Sequence, residues 1–124
     1  MTLIISLVSI SIGMCSGLIL SFILLSKRAI PRHMGRVYIS FFRGTPLLGQ
    51  LLLAYFFLPG IIGVDLPPIV AAVGTLALNT TAFQAEIYRG GLLAIPPGQF
   101  EAARILGMTV LQARLRILIP QMLR

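Results

Sequence analysis

A long apolar segment at the start of the chain restricts the folds that are available to it. The segment runs from Leu3 to Leu25 and contains no charged residue. Its roughly 23 residues would form a helix about 34 Å long, which is enough to cross the hydrocarbon core of a bilayer. A secretory signal peptide is the alternative, but here the positive charges Lys27 and Arg28 come after the apolar run rather than before it. We therefore interpret approximately 3–25 as a first membrane span.

The composition favours a membrane protein over a soluble domain. Hydrophobic residues make up 57% of the 124 residues, charged residues make up 10%, and the mean hydropathy is +0.98. A formal net charge of +7 would also suit a nucleic-acid-binding protein, but no basic stretch outside the apolar runs carries the interleaved exposed aromatic residues that such a protein needs. We therefore expect membrane lipid, and no nucleic acid, as a partner of the basic residues.

The sequence carries few groups for metal binding or catalysis. Cys15 and His33 are the single cysteine and the single histidine, so neither a metal cluster nor an internal disulfide is expected. The only lysine, Lys27, does not belong to a phosphate-binding loop of the form Gly-x-x-x-x-Gly-Lys-Ser/Thr. We predict no catalytic residue, no cofactor and no ATP hydrolysis by this chain itself.

Two further apolar segments are predicted to cross the membrane. The second span covers approximately 47–64, with Thr45 as its expected N-cap and a break near its end at Pro59. The third span covers approximately 67–87, and Asp65 is its expected N-cap.

The basic residues predict the orientation of these spans. With three crossings, all ten Lys and Arg residues fall on one side of the membrane, which the positive-inside rule makes the cytoplasmic side. The N-terminus then lies outside the cytoplasm, and Arg43 and Arg89 mark the inner boundaries of the second and third spans. The basic segment from Lys27 to Arg43 either only fixes this topology or also binds lipid phosphate or a partner.

A polar stripe distinguishes the third span. Thr75, Asn79, Ala82 and Glu86 follow spacings that place them along one face of a helix. Two interpretations remain open. The stripe is either a packing surface that ends in an interfacial ion pair of Glu86 with Arg89, or a candidate translocation path formed by Thr75, Asn79 and Glu86.

Two short helices joined by a corner are predicted for residues 97–120. A Pro-Gly turn precedes the first helix, which covers 99–106 and ends at Gly107. Thr109 is the expected N-cap of the second helix.

The first of these helices has the features of a small docking surface. Glu101 and Arg104 are three residues apart and can form an ion pair. Ala102, Ala103 and Gly107 carry almost no side chain, so another surface can approach the backbone closely. The alternative is a solvated amphipathic helix between two membrane spans.

Three stretches of the chain resemble a known class of transporter. Glu101-Ala102-Ala103, the following Gly107, and Ile117-Leu118-Ile119-Pro120 resemble the EAA loop of ATP-binding-cassette (ABC) importer permeases. Residues 38–48 are similar to the hallmark of the polar amino acid permease subfamily, and residues 79–91 resemble the segment that enters its EAA loop.

This resemblance implies an all-α integral membrane protein with part of the type I ABC importer permease fold, in which three transmembrane helices precede a cytoplasmic coupling helix. It also implies that the loop over 97–120 seats in a groove of an ATPase subunit. The implied contact residues are Glu101, Ala102, Ala103, Gly107 and Pro120. The implied partners are ABC ATPase subunits, a second permease chain, identical or related, and an extracytoplasmic solute-binding protein.

The expected function is that of a transmembrane permease subunit of an ATP-driven importer for polar amino acids in the bacterial inner membrane. Residues 1–124 would form a single, incomplete permease domain, because family members continue through further spans after Pro120. The alternatives are a small structural or interaction protein whose basic amphipathic tail lies on lipid, or a non-functional permease fragment.

Overall fold

The computed structural model describes all residues from 1 to 124, and its regular secondary structure is entirely helical. The helices are α1 (Thr2–Leu24), α2 (Ala29–Gly44), α3 (Leu47–Leu52), α4 (Leu58–Ile62), α5 (Pro68–Leu93), α6 (Pro97–Ile105), α7 (Val110–Ala113) and α8 (Ile119–Met122). Two π-helical turns, Leu53–Phe57 and Arg114–Leu118, join α3 to α4 and α7 to α8. The chain divides into two units, Met1–Glu86 and Ile87–Arg124, with the boundary inside α5.

Small residues bring α1 against α5 in the first unit. A Cβ atom added at Gly13 would lie 2.6 Å from the Cβ atom of Thr80, so the two backbones approach as closely as a glycine allows. The contacts along the two helices are Ser9 with Val73, Gly13 with Thr80, Ser16 with Thr81, and Gly17 with Gln84. Because the residue numbers increase together, α1 and α5 are parallel and begin at the same end of the unit.

The segment from α3 to α4 runs back in the opposite direction. Its beginning contacts α5 through Gln50 and Asn79, whereas Tyr55 and Phe56 line a groove with Ala71 further toward the start of α5. The residue numbers therefore decrease on α5 as they increase on α3 and α4. An antiparallel segment between two parallel helices is the arrangement that three successive crossings require.

Helix α2 occupies the segment that the sequence analysis treated only as a basic connection. It packs on α1 through Gly35, where a Cβ atom would lie 3.0 Å from Leu24 Cδ2. Its Ile39 joins a core with Leu24, Ala82 and Ala85. Its apolar residues recur at helical spacing, a signal in the sequence that predicts an amphipathic helix here.

Helix α1 alone is long and apolar enough to cross a bilayer by itself. Helix α2 and the segment Leu47–Ile62 satisfy the same criterion only as a pair, which is bent by 105°. The three predicted spans lie on α1, on α3–α4 and on α5. Their crossing of the membrane stays a prediction.

The predicted N-cap at Thr45 is wrong. Helix α3 begins at Leu47 with Pro46 at its N-cap, and no side chain caps it. The Thr45 hydroxyl donates instead to the Phe41 carbonyl at 2.7 Å, so it closes the last turn of α2. The chain turns sharply after Thr45, so the hydroxyl bonds to the helix before the turn and not to the helix after it.

The predicted N-cap at Asp65 is also wrong. Helix α5 begins at Pro68, and the Pro67 carbonyl accepts the hydrogen bond from the Ala71 N–H at 3.1 Å. That acceptor identifies Pro67 as the N-cap position. Two consecutive prolines begin the helix without an N–H donor to satisfy, so a capping carboxylate is not required.

The predicted break at Pro59 does not occur. The backbone is helical from Leu47 to Ile62, because the π-helical turn Leu53–Phe57 widens the helix just before the proline. A π-helical turn removes the steric conflict that a proline creates one turn earlier. The helix ends instead at Gly63, whose φ of 69° is left-handed.

The second unit comprises the end of α5 with α6, α7 and α8. A Cβ atom at Gly91 would lie 3.0 Å from Met122 Cβ, so the ends of α5 and α8 touch. The Gln121 amide donates to the Gln99 carboxamide oxygen, which joins α8 to α6. Leu92, Ala103, Ala113 and Leu118 are buried.

Candidate functional site

The predicted docking helix is α6, and it begins earlier than the sequence suggested. Pro97 is its first residue and Pro96 is its N-cap. The predicted Pro-Gly turn is therefore wrong. A proline in the first turn has a suitable φ angle and lacks an N–H that the helix could not satisfy there.

Gly107 ends α6 as predicted. Its φ of 73° is left-handed, and its N–H donates to the Arg104 carbonyl at 3.0 Å. The Met108 N–H donates to the Ala103 carbonyl at 3.0 Å. These two hydrogen bonds form a Schellman motif, which satisfies the free carbonyls at the helix end and turns the chain away.

Thr109 begins the next helix, which confirms its predicted role as an N-cap. Its hydroxyl accepts a hydrogen bond from the Gln112 N–H at 3.2 Å, and the Gln112 side chain accepts one from the Thr109 N–H at 3.0 Å. This reciprocal capping box follows directly after the Schellman motif. The corner between α6 and α7 is therefore fixed by side-chain or backbone hydrogen bonds on both sides.

The exposed face of α6 differs from the predicted one. Glu101 and Ala102 are exposed, but Ala103 is only 1% exposed and packs inside the second unit. Ile105 and Leu106 are exposed large apolar residues at the end of the helix. Ile105 is not among the residues predicted for this surface, although adjacent apolar residues before a helix-ending glycine are a usable signal.

Two other features of the predicted loop concern Glu101 with Arg104, and Pro120. Glu101 and Arg104 are both exposed, and the predicted ion pair between them does not form. Pro120 is exposed and follows the π-helical turn Arg114–Leu118, in the same relation to that turn as Pro59 has to Leu53–Phe57.

A polar cluster around Gln50 lies at the corner between α2 and α3. Gln50 is 4% exposed, and its side-chain nitrogen donates to the Phe42 carbonyl at 2.9 Å and to the Thr45 hydroxyl oxygen at 2.7 Å. The Gln50 carboxamide oxygen accepts a hydrogen bond from Asn79 at 3.1 Å. One buried side chain thus joins the end of α2, the start of α3 and the middle of α5.

The polar stripe of α5 makes contacts within the first unit. The Thr75 hydroxyl is buried and donates to the Ala71 carbonyl at 2.8 Å. Asn79 contacts Gln50, as described above. Glu86 forms an ion pair with Arg43 at 3.8 Å. These contacts agree with the packing interpretation, but the acidic residue has a partner on α2 that spacing along α5 could not reveal.

Arg43 also lies over an aromatic ring. Its guanidinium carbon is 5.4 Å from the centre of the Phe83 ring, within the range of a cation–π contact. The residue therefore connects the last turn of α2 to α5 by two contacts. Arg89, the other predicted boundary residue, lies on α5 in the second unit and is half-buried.

An apolar cavity of about 340 Å³ lies beside the polar stripe. Its lining is Phe41, Phe42, Gln50, Leu53, Ala54, Phe57, Leu58, Ile61, Thr75 and Leu78. Thr75 is the predicted path residue among them. A cavity with this lining suits an apolar group better than a charged one.

Comparisons with known proteins identify the sequence class. The profile of the family described as binding-protein-dependent transport system inner membrane component matches residues 5–124. The chain is 41% identical over 128 residues to an L-cystine transport system permease protein of Bacillus subtilis, covering 98% of this chain and 54% of that protein. It is 44% identical to an octopine transport system permease protein of Rhizobium meliloti, covering 94% of this chain and 51% of that protein.

The fold agrees with that class. The crystal structure of an amino acid ABC transporter with histidines superposes with a TM-score of 0.82 at 41% identity, covering 99% of this chain and 57% of that one. The predicted fold class, a partial ABC importer permease fold, is confirmed. The chain spans about half the length of the curated relatives it matches. The chain belongs to the family of binding-protein-dependent transport system inner membrane components.

Proposed function

We propose that this chain forms the membrane-spanning part of an ATP-driven importer for polar amino acids. Its relatives include permease proteins named for the transport of cystine, octopine, arginine and glutamine. The substrates in these names are all small molecules with an amino acid backbone. They favour this function over a structural membrane protein.

The observation that carries the proposal is the rigid corner at the end of α6. The exposed residues Glu101, Ala102, Ile105 and Leu106 stand directly before Gly107, on a helix whose end is fixed by a Schellman motif. A short helix whose C-terminal end is fixed in this way can transmit force without bending. Closure of the ATPase subunits would move α6 as a lever and, through it, rock the spans between two orientations.

The proposed contact with the ATPase uses the exposed residues of this corner. Ala102 gives close access to the backbone, while Ile105 and Leu106 offer apolar area for a groove. Glu101 would be the first residue of α6 in contact with the ATPase. Gly107 would set the direction of the chain after α6, and Pro120 would set it in α8. Ala103 would support the helix from inside the second unit.

ATP hydrolysis is assigned to a separate subunit, since the family consists of membrane components. The complete importer would contain two ATPase subunits, a second permease chain and an extracytoplasmic solute-binding protein. Thr75, Asn79 and Glu86 stay candidates for the translocation path. A rocking motion that separates α5 from α2 and α3 would uncover their polar atoms.

The proposed orientation places the N-terminus outside the cytoplasm. The parallel arrangement of α1 and α5 supports it, because Lys27, just after α1, and Glu86, in the later part of α5, then lie toward the same side of the membrane. Labelling with a membrane-impermeant maleimide would test it, in a Cys15→Ser background. Asp65→Cys should react in intact cells and Arg36→Cys only after permeabilisation; the reverse pattern would contradict the orientation.

Crosslinking would test the coupling role. The chain would be co-purified with a candidate ABC ATPase and treated with a thiol crosslinker after a cysteine is placed on α6. Ala102→Cys should crosslink, whereas Ala103→Cys should not, because that side chain is buried. In a permease completed by the remaining spans, Glu101→Lys and Gly107→Asp should separate ATP hydrolysis from uptake. Normal uptake in both variants, with no crosslink at Ala102, would refute the coupling role.

A further inference from the structure

Helix α2 exposes a narrow apolar ridge. The ridge consists of Ile30, Met34, Val37 and Phe41, whose side chains are between 51% and 76% exposed. At about 100° per residue, these four positions fall within a sector of roughly 60° on the helix surface. An exposed line of large apolar side chains on one face marks a surface that contacts lipid or another protein.

A basic stripe lies on a different face of the same helix. Arg32 and Arg36 form this stripe; they lie about 40° apart on the helix surface and about 150° away from the apolar ridge. Arg43 points in the same direction but is paired with Glu86 and is not part of the stripe. Between them lies the face that packs on α1 and α5, with Gly35 and Ile39 buried. No acidic residue occurs from Lys27 to Val64. The helix thus presents apolar side chains in one direction and cations in nearly the opposite direction.

The orientation of α2 relative to the predicted spans is the second observation. The bend between α2 and the α3–α4 segment is 105°. The α3–α4 segment lies antiparallel to α5, so a helix at this angle lies nearly across the bundle. If the bundle crosses the membrane, α2 lies close to the membrane plane. Its contact with Leu20 and Leu24 places it beside the last turns of α1.

We propose that α2 is an interfacial helix, which lies in the inner leaflet with the apolar ridge among acyl chains and the basic stripe at the phosphates of anionic phospholipid. This inference rests on the proposed membrane orientation of α1, α3–α4 and α5. Amphipathic helices with a basic polar face bind anionic bilayers in this way, about 5–10 Å below the headgroup surface. The helix would hold the Thr45–Pro46 corner at a fixed depth.

Depth measurement distinguishes an interfacial helix from a tilted span. Single spin labels would be placed at Ile30, Met34, Val37 and Phe41 in the Cys15→Ser chain, reconstituted in nanodiscs of phosphatidylglycerol and phosphatidylcholine. Relative accessibility to oxygen and to a nickel chelate gives the depth of each label. An interfacial helix predicts nearly equal depth at all four sites. A span predicts a steady change of up to about 16 Å from Ile30 to Phe41, which would refute the proposal.

Two controls make the outcome decisive. A label at Leu7, which is exposed on α1, reports whether the predicted spans lie in lipid at all. If Leu7 is in lipid while the ridge is accessible only to the nickel chelate, α2 is not interfacial although the membrane placement holds. Ridge labels shielded from both reagents would show that protein covers the ridge, which also overturns the proposal.

The basic stripe has its own test. Replacing phosphatidylglycerol by phosphatidylcholine should make the Met34 label at least twofold more accessible to the nickel chelate. The double variant Arg32→Gln/Arg36→Gln should lose this dependence on lipid charge. A matched variant with the same change of charge, Arg104→Gln/Arg124→Gln, should retain it. Equal behaviour of the two double variants would rule out anionic lipid as the partner of this stripe.

Discussion

Gln50 and Asn79 join α3 to α5 through their side-chain amides, with Asn79 Nδ2 donating to Gln50 Oε1 at 3.1 Å. Asn79 also approaches the Phe42 carbonyl at 3.4 Å, and Gln50 donates to that same carbonyl at 2.9 Å. The amides therefore satisfy a backbone acceptor that the end of α2 leaves free. A sharp corner between two buried helix ends is possible because these acceptors are satisfied.

Removal of the Gln50 amide should destabilise the corner. Gln50→Leu keeps the size of the side chain but leaves buried acceptors without donors, which costs about 1–3 kcal/mol. Thermal denaturation in detergent micelles, followed by circular dichroism, would measure the loss. In a double-mutant cycle with Asn79→Ala, we expect a coupling energy of about 0.5–3 kcal/mol. A cycle of Gln50→Leu with Ser40→Ala, which share no partner, should be additive; equal coupling in both cycles would contradict this role.

Gly13→Ala should loosen the contact between α1 and α5. The new Cβ atom would lie 2.6 Å from the Thr80 side chain, so the helices must separate, at a cost of about 1–3 kcal/mol. Gly74→Ala on α5 is the matched control, since nothing lies within 4 Å of a Cβ atom there. That control should be neutral or stabilising by up to about 1 kcal/mol. Equal melting temperatures for the two variants would show that the close contact is unimportant.

Gly107→Ala should weaken the corner after α6. An alanine at this left-handed φ of 73° is strained by about 1–2 kcal/mol. Gly107→Asn should cost less, since asparagine tolerates this conformation. Gly98→Ala is the control and should have little effect, because the φ angle of Gly98 is not positive and no atom lies within 4 Å of a Cβ atom there. Amide hydrogen exchange over residues 97–108 would detect the change. Faster exchange in Gly98→Ala than in Gly107→Ala would contradict the prediction.

The ion pair of Arg43 with Glu86 should contribute little to stability. The two side chains are 46% and 27% exposed, and partly exposed pairs give about 0.2–1 kcal/mol. A double-mutant cycle of Arg43→Ala and Glu86→Ala would measure the coupling energy at low and at high salt. We expect it to fall as salt rises. A coupling energy above about 2 kcal/mol that salt does not change would show that the pair is shielded from solvent.

Local rules were sufficient for part of this fold. Gly107 and Thr109 were assigned from the sequence because a helix end and an N-cap depend on hydrogen bonds between neighbours in the chain. The helices at the three predicted spans could be predicted because long apolar runs of this length rarely form any other secondary structure. The resemblance of Glu101-Ala102-Ala103 and Gly107 to a transporter loop identified the family.

Contacts between distant segments decided the rest. Gln50 was visible only as a polar residue in an apolar run, since its acceptors come from α2 and its donor from α5. Arg43 on α2 contacts Glu86 on α5 because α2 packs against α5. The spacing of residues along α5 could not predict this partner. Ala103 is 1% exposed, whereas its small side chain alone suggested a surface that a partner could approach.

The sequence by itself determined the helical membrane class and the local corner at Gly107, because each depends on composition or on residues a few positions apart. Only the tertiary structure decided that α2 is a helix bent by 105° from the next segment, that α1 and α5 are parallel, and which side chains are left exposed. The physical reason is that helix packing and buried hydrogen bonds join residues dozens of positions apart, and their free energy outweighs local preference.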